Sequence, residues 1–574
     1  MSLAWSVAAL VLGAVPTSQG AVFLDFRPTA RGQANFTFAE ELLVLALQGL
    51  ANREAPQLFL NVTNEGMDQG APGLAWTDWI TREKGITFET QFQSEICPLL
   101  DRFKAAVRGT VLYDDFKRKD SPFNDCSMPA STLAMTVAGL ESLLPVTAEV
   151  LQQNACLRGL PLKVNLTSVL EGAGALFPNK TCSVSLNEWG MTHLLPRSNR
   201  TAVFTPAAGG SGVWLSADYA VQQKMYTFAL EPNATKNPQE SLLFYRILRS
   251  RELPAAVFGW PSSDEGVGTA SVSRAGCYVM CAAAENLSFL NRVRSIRVRL
   301  PGAPALPLNL SKYYVTFQTN EGDTPKSAVS FFGGSWLDPA RGSAPVSWGF
   351  NARICLLWPV MCEMYSRTAR PNDSFFSHSS GYMNIWDAPE KPFATFAAQT
   401  AALVREFMPA SAAVDVWTGY EYNGTANKTI PTPVSLANYS RYQKDAGGAI
   451  KMFTQAPAGF DNESAVNLWL DDGTPVFMTP RYLHYACEIP DYPCDKENPE
   501  QTIADRVVQA VGNHRPPHFV MVYGLVGGLG PRSLQQVVHN VRAQLPENFQ
   551  VVTTDDFVHA ARASAPHMLQ QILV

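Results

Sequence analysis

Apolar residues fall along the chain in two alternating patterns. AVFLDF (21–26) and QLFLNV (57–62) are continuous apolar runs of strand length, and between them FAEELLVLALQGLANR (38–53) spaces its leucines as a helix does, a β-α-β opening. VRGTVLYDD (107–115) reads as a further strand and STLAMTVAGLESLL (131–144) as a helix stopped by Pro145. ADYAVQQKMYTFAL (217–230) and ESLLFYRILRSR (240–251) read as successive helices, and AAVFGW (255–260) as a buried strand entering the polar turn PSSDEG. Beyond the proline-rich joint RLPGAPALPLNL (299–310) come the strand YYVTFQT, a helix around ICLLWPVMCEMY (354–365), the strands AAVDVW, PVFMT and HFVMVYGLV, the helix SLQQVVHNVRAQL, and QVVTT. Strands alternating with helices predict a multidomain α/β chain with parallel sheets under helical cover. The expected divisions are a leader over 1–20, α/β domains over 21–110, 111–195 and 196–307, and a barrel-like or doubly wound domain over 308–574.

Composition narrows the compartment. MSLAWSVAALVLGAVPTSQG has an apolar core of signal-peptide length, with Ser18 and Gly20 suited to a cleavage site before Ala21. Thirteen N-x-S/T sites occur where 28 Asn and 75 Ser plus Thr in 574 residues would give about four by chance, so N-linked glycans and a secreted, extracellular or lumenal location are expected. A net charge of -5 offers no basic field for nucleic acid, and no later segment is long enough to span a bilayer. The ten Cys suit an oxidising compartment, or else several are buried free thiols. If 354–365 is one helix, Cys355 and Cys362 stand too far apart to pair and need outside partners such as Cys277 and Cys281. Cys487 and Cys494 flank a proline-containing loop that a disulfide would close.

Several segments, in one order along nearly the whole chain, resemble the GxGYxYP family of glycoside hydrolases. They are LQGLANREAPQLFL with AWTDWI, GTVLYD with MTVAGLESLLPV, DYAVQQKMYTFAL, and VFGWPSSDEG with SVSRAG and ENLSFL. YYVTFQTNEGD, PVSWGF and PNDSFFSHSSGYMNIW follow in the C-terminal part. The last sits where the naming motif belongs: Gly381 and Tyr382 fit it, while Ser379, Asn384 and Ile385 depart from it. The resemblance implies a carbohydrate substrate.

Glu321 and Asp323 straddle Gly322 where the strand YYVTFQT ends, and the C-terminal ends of strands are where α/β sites form. Sugar cleavage needs two carboxyl groups, about 5 to 5.5 Å apart for retention or 6.5 to 9.5 Å for inversion. Asp323 with Glu321 or Asp373 is the expected catalytic pair, and Glu265 a further acid facing the cleft. Trp348 and Tyr382 are expected to receive sugar faces, and His378 to assist as an acid or base. No cofactor is expected, although Glu321 and Asp323 have the hard oxygens a Ca²⁺ ion prefers. A zinc deacetylase would need histidine ligands, and the prolines between His514 and His518 keep that pair off one helical face. The rival reading is a carbohydrate-binding or cell-surface interaction protein that kept the scaffold without the chemistry.

Overall fold

The computed structural model describes residues 20–572 except 26–35, 62–71, 92–95, 114–126, 170–180, 207–210, 263–264, 281–283, 303–306, 308, 321–323, 417–435, 456–465, 480–482, 486–496, 513, 526–529 and 546–547. Three small parallel sheets come first. Ala21–Asp25 lies between Leu58–Asn61 and Phe88–Gln91, and Gly109–Leu112 between Leu143–Val146 and Leu162–Asn165. The third sheet runs Tyr278–Met280, Ala256–Gly259, Ala202–Thr205, Tyr226–Thr227. Strand Gly109–Leu112 straddles residue 110, so the division expected there cuts through a strand.

Helix Phe38–Ala51 starts at a capping box, in which Thr37 Oγ1 accepts from the Glu40 backbone and the Glu40 carboxylate from the Thr37 backbone. From Leu42 to Ala51 every residue is buried, so the helix is enclosed on all sides. At Gly49 it meets the helix Ala217–Gln222, and a Cβ there would lie 2.3 Å from the Asp218 carbonyl oxygen. Polar side chains of the LQGLAN segment tie the first sheet to the third domain. Gln48 Nε2 donates to Asn286 Oδ1 at 2.7 Å, Asn52 Nδ2 to Ser288 Oγ at 3.0 Å, and Gln222 Nε2 to the Asn52 carbonyl at 2.6 Å. Asn286, although in a glycosylation sequon, is buried with its side-chain amide engaged in this network.

Two expected helices are shorter than their apolar patterns. One stops at Glu141 and LLPV continues as strand Leu143–Val146; the other stops at Gln222 and leads to strand Tyr226–Thr227. At each break a non-glycine residue, Ser142 (φ 61°) or Lys224 (φ 55°), takes the left-handed conformation that ends helices. The segment 354–365 is likewise two helices, Ile354–Leu357 and Pro359–Thr368, separated at Trp358. That break brings the Cys355 and Cys362 Cα atoms to 5.2 Å, and the two form a disulfide with each other, contrary to the expectation from one continuous helix. Cys277, offered as an outside partner, is a buried free thiol; Cys281, Cys487 and Cys494 lie outside the described residues. Cys97 pairs with Cys156, linking the first two domains.

The C-terminal domain is barrel-like. Strand Tyr313–Asn320 pairs along its whole length with His518–Leu525, and on its other edge with Phe549–Val552 and then Val346–Gly349. Val346–Gly349 pairs with Asp373–Phe376, and Ser377 carries the pairing on to Ala413–Asp415. Met452–Gln455 and Pro475–Met478 follow, while His484–Tyr485 extends the far side beyond His518–Leu525. All of these pairings are parallel, so the C-terminal strand ends gather at one mouth; an antiparallel strand, Val466–Trp469, borders Pro475–Met478. Among the described residues no helix is long and apolar enough to cross a membrane.

Candidate functional site

The barrel mouth collects side chains from neighbouring strand ends. Just beyond Asp373–Phe376, Ser377 exchanges backbone hydrogen bonds with the next strand: its N–H donates to the Ala413 carbonyl at 3.0 Å, and its own carbonyl accepts from Asp415 N at 2.8 Å. His378 is thereby set beside Asp415, with Nε2 3.6 Å from Asp415 Oδ2. Both are nearly sealed, at 3% and 1% exposure. Burial lowers the His378 imidazole to about 4, because a cation is penalised where water is excluded. The Asp415 oxygen, beyond hydrogen-bond length, does not offset that loss, and the ring is neutral at physiological pH. Asp415 Oδ1 accepts from Thr454 Oγ1 at 2.9 Å, and its carbonyl from Ser379 Oγ at 3.0 Å.

The naming motif forms the seam between barrel and third domain. Tyr382 exchanges backbone hydrogen bonds of 2.9 Å each way with Val279, and its ring lies between His378 (4.9 Å) and Trp260 (5.5 Å). Trp260 directly follows strand Ala256–Gly259, so the C-terminal end of that strand reaches the same mouth. Gly381, at φ 132°, has no room for a side chain: a Cβ would lie 2.5 Å from the Tyr278 ring and 2.9 Å from the Val279 carbonyl. Ser379 has φ 45°, a left-handed backbone that glycine adopts at no steric cost, which accounts physically for glycine being the family's residue there. Asn384 holds the turn that follows, accepting from Trp386 N at 3.1 Å and donating to Asp387 Oδ2 at 2.6 Å.

The expected residues are not all brought together. Glu321 and Asp323 lie outside the described residues, bracketed by the end of strand Tyr313–Asn320 and by the buried Thr324. The backbone of Glu265 opens helix Glu265–Arg274, and its side chain is outside what is described. Tyr382 and His378 stand together at the mouth. Asp373 and Trp348 do not. Asp373 begins its strand, at the end of the barrel opposite the mouth, with Oδ2 paired to Arg341 and accepting from Arg370 N at 2.7 Å, and Oδ1 accepting from Trp348 Nε1 at 2.9 Å. Both oxygens of this buried carboxylate are engaged, which argues against Asp373 as the second catalytic acid. Trp348 is wholly buried against Phe332 and Trp336, with no face for a sugar. His514 and His518 are stacked with ring centroids 4.1 Å apart, and His518 Nε2 lies 3.2 Å from the Ala510 carbonyl. Among the described residues no group of three or more His, Cys, Asp or Glu is arranged to hold a metal ion. Sequence reading missed Asp415, whose signal is an acid interrupting the apolar strand AAVDVW.

Comparison with known proteins agrees with this architecture. Among proteins of curated function none matches the chain significantly. A crystal structure described as a putative hydrolase from Bacteroides thetaiotaomicron VPI-5482 has a TM-score of 0.73 at 15% identity, covering 95% of each chain, a likeness of fold alone. Another, described as a putative polysaccharide deacetylase from Mycobacterium smegmatis, covers 46% of this chain and 96% of its own at 11% identity, with a TM-score of 0.31, too low for a fold assignment. The sequence pattern described as "GxGYxYP putative glycoside hydrolase C-terminal domain" matches residues 311–562, and "GxGYxYP third domain" matches residues 207–292. Together they span more than half of the 574 residues, and the chain belongs to the GxGYxYP family.

Proposed function

We propose that this protein is a glycoside hydrolase whose reaction takes place at the C-terminal mouth of the barrel. The observation that carries the reading is the juxtaposition of His378 and Asp415 at adjacent strand ends, beside the Tyr382 and Trp260 rings. Asp323, with Glu321, follows another strand of the same barrel and supplies a carboxyl group; Asp415 takes the part that sequence reading gave to Asp373. One carboxyl protonates the leaving oxygen while the other acts on the opposite face of the sugar ring. Neutral His378 orients by hydrogen bonding and carries no charge. The buried Tyr382 ring packs behind His378 and Trp260 and backs the wall of the mouth. The leader and the sequon excess support secretion and glycosylation, and no cofactor is invoked.

Chromophore release from a panel of aryl glycosides tests the reading: turnover that depends on the mouth residues supports it. A second reading, carbohydrate binding without cleavage, draws on the near-complete burial of His378 and Asp415. Binding on a glycan array with no turnover over the panel would favour it.

A further inference from the structure

A cavity of about 300 Å³ lies at the other end of the barrel, between helix Pro72–Lys84 of the first domain and the segments that lead into strands Val346–Gly349 and Asp373–Phe376. Because those segments enter the N-terminal strand ends, the cavity is separate from the mouth, where His378 and Asp415 sit. Two domains build it: Asp78, Trp79 and Arg82 come from the helix, Leu337, Arg341 and Arg370 from the barrel. Its position at a domain junction and its volume, at the lower end of the roughly 300 to 1,000 Å³ of ligand sites, suit an occupant the size of one sugar ring.

The lining has an anchored cationic part and an apolar part. Arg341 is only 6% exposed, and its guanidinium lies 3.9 Å from the centroid of the Trp336 ring. One of its terminal nitrogens is paired with Asp373 and the other donates to the Thr368 carbonyl at 2.8 Å, while Nε is buried with no hydrogen-bond partner. Arg370 is held from one terminal nitrogen, which donates to the Pro339 carbonyl at 3.1 Å and to the Arg341 carbonyl. Arg82, Arg341 and Arg370 share the lining with Asp78; Arg341 is paired with Asp373 and Arg82 Nε with Glu83 at 3.0 Å, while the contacts of the Arg370 guanidinium are to carbonyl oxygens. Leu337, 44% exposed, supplies an unusually open apolar surface beside them. The guanidinium groups of Arg82 and Arg370 offer the planar donors that a carboxylate accepts, and the apolar wall matches the body of a ring.

We infer that this cavity is a binding site for a small ring-bearing carboxylate, with the carboxylate toward Arg82 and Arg370 and the ring against Leu337 and Trp79. The occupant bridges the first domain and the barrel, so binding also stabilises that junction. The inference does not depend on the reaction proposed for the mouth.

Titration of the full-length protein with sodium glucuronate, sodium benzoate, glucose and sodium sulfate, followed by calorimetry and by intrinsic tryptophan fluorescence, tests it. Glucuronate or benzoate should bind, glucose and sulfate at least about ten-fold more weakly, since a charge-assisted hydrogen bond contributes about 1.5 to 3 kcal/mol. Preference for glucuronate assigns the site to acidic sugars, and preference for benzoate to aromatic acids. Arg82→Ala with Arg370→Ala, both at exposed positions, should weaken binding by about ten-fold or more while the free protein still melts in one cooperative transition, since only exposed side-chain contacts of Arg82 and two hydrogen bonds of Arg370 to carbonyls are lost. Asp323→Asn, three residues beyond strand Tyr313–Asn320 in the sequence, should leave it unchanged. Absence of binding by both organic carboxylates, sulfate or glucose binding as tightly, or unaltered affinity in the double arginine variant would overturn the inference.

Discussion

Trp348 Nε1 donates to Asp373 Oδ1 at 2.9 Å, and through that bond an aromatic and an acid that both suggested a sugar site are fixed to each other inside the barrel. The second oxygen of Asp373 is paired with Arg341, whose guanidinium stacks on Trp336. Neutralising the acid leaves the Arg341 charge buried without its partner. Asp373→Asn should therefore cost on the order of 3 to 5 kcal/mol of stability, measured by chemical denaturation, while the molecules that remain folded keep wild-type turnover. Loss of turnover with unchanged stability would return Asp373 to a catalytic role.

Asp218 is a buried acid at the junction of the first and third domains, with Oδ2 accepting from Ser288 N at 2.9 Å. Burial raises its carboxyl from 3.8 to about 6. The folded protein thus binds this proton more tightly than the unfolded chain, so this group's contribution to stability is full below about 4, declines as pH rises toward 6, and is absent above. Asp218→Asn should remove that dependence and stabilise the protein at pH 7.5 by on the order of 2 to 3 kcal/mol, read from denaturation midpoints at pH 5 and 7.5.

His378 acts with the opposite sign. Its folded value of about 4 lies below the ordinary 6.5, so the unfolded chain takes up the proton first and stability is lost as pH falls from about 6.5 toward 4. A His378→Gln variant should be less sensitive to acid over that window in thermal melts. Its turnover profile should also keep any limb near pH 6.5, since the imidazole does not titrate there in the folded protein.

Gly381→Ala should damage the seam more than the barrel. The new methyl group would meet the Tyr278 ring and the Val279 carbonyl, both part of the third-domain edge that Tyr382 pairs with. Hydrogen exchange should quicken at Val279 and Tyr382 while strand Tyr313–Asn320 keeps its protection. Stability should fall by about 1 to 3 kcal/mol.

The alternation of apolar patterns was sufficient to foresee parallel sheets, because buried parallel strands are short apolar runs that covering helices separate, but it left the C-terminal domain open between a barrel-like and a doubly wound form. Where helices end was less legible. Ser142 and Lys224 take left-handed backbones without a glycine to announce them, and Leu143 and Leu144 read as the last residues of a helix although they open a strand. The helix break at Trp358 likewise hid the Cys355–Cys362 pairing. For the site, nearness in sequence misled: Asp373 and His378 are close along the chain, but a strand lies between them and points them to opposite ends of the barrel. Asp415 was hidden for the complementary reason, since its nearness to His378 exists only across two strands that pair in the fold.

The central claim is that the barrel mouth cleaves glycosidic bonds with carboxyl groups from its strand ends. The most direct measurement is kcat/KM for wild type and for Asp323→Asn and Asp415→Asn on an aryl glycoside that the wild type cleaves, with melting curves beside each. The account predicts a fall of about a hundred-fold or more in each variant, the contribution expected of a general acid or base, with Asp323→Asn melting as the wild type does. A folded Asp323→Asn protein with undiminished turnover, or a wild type that releases no chromophore from any glycoside of the panel, would contradict it.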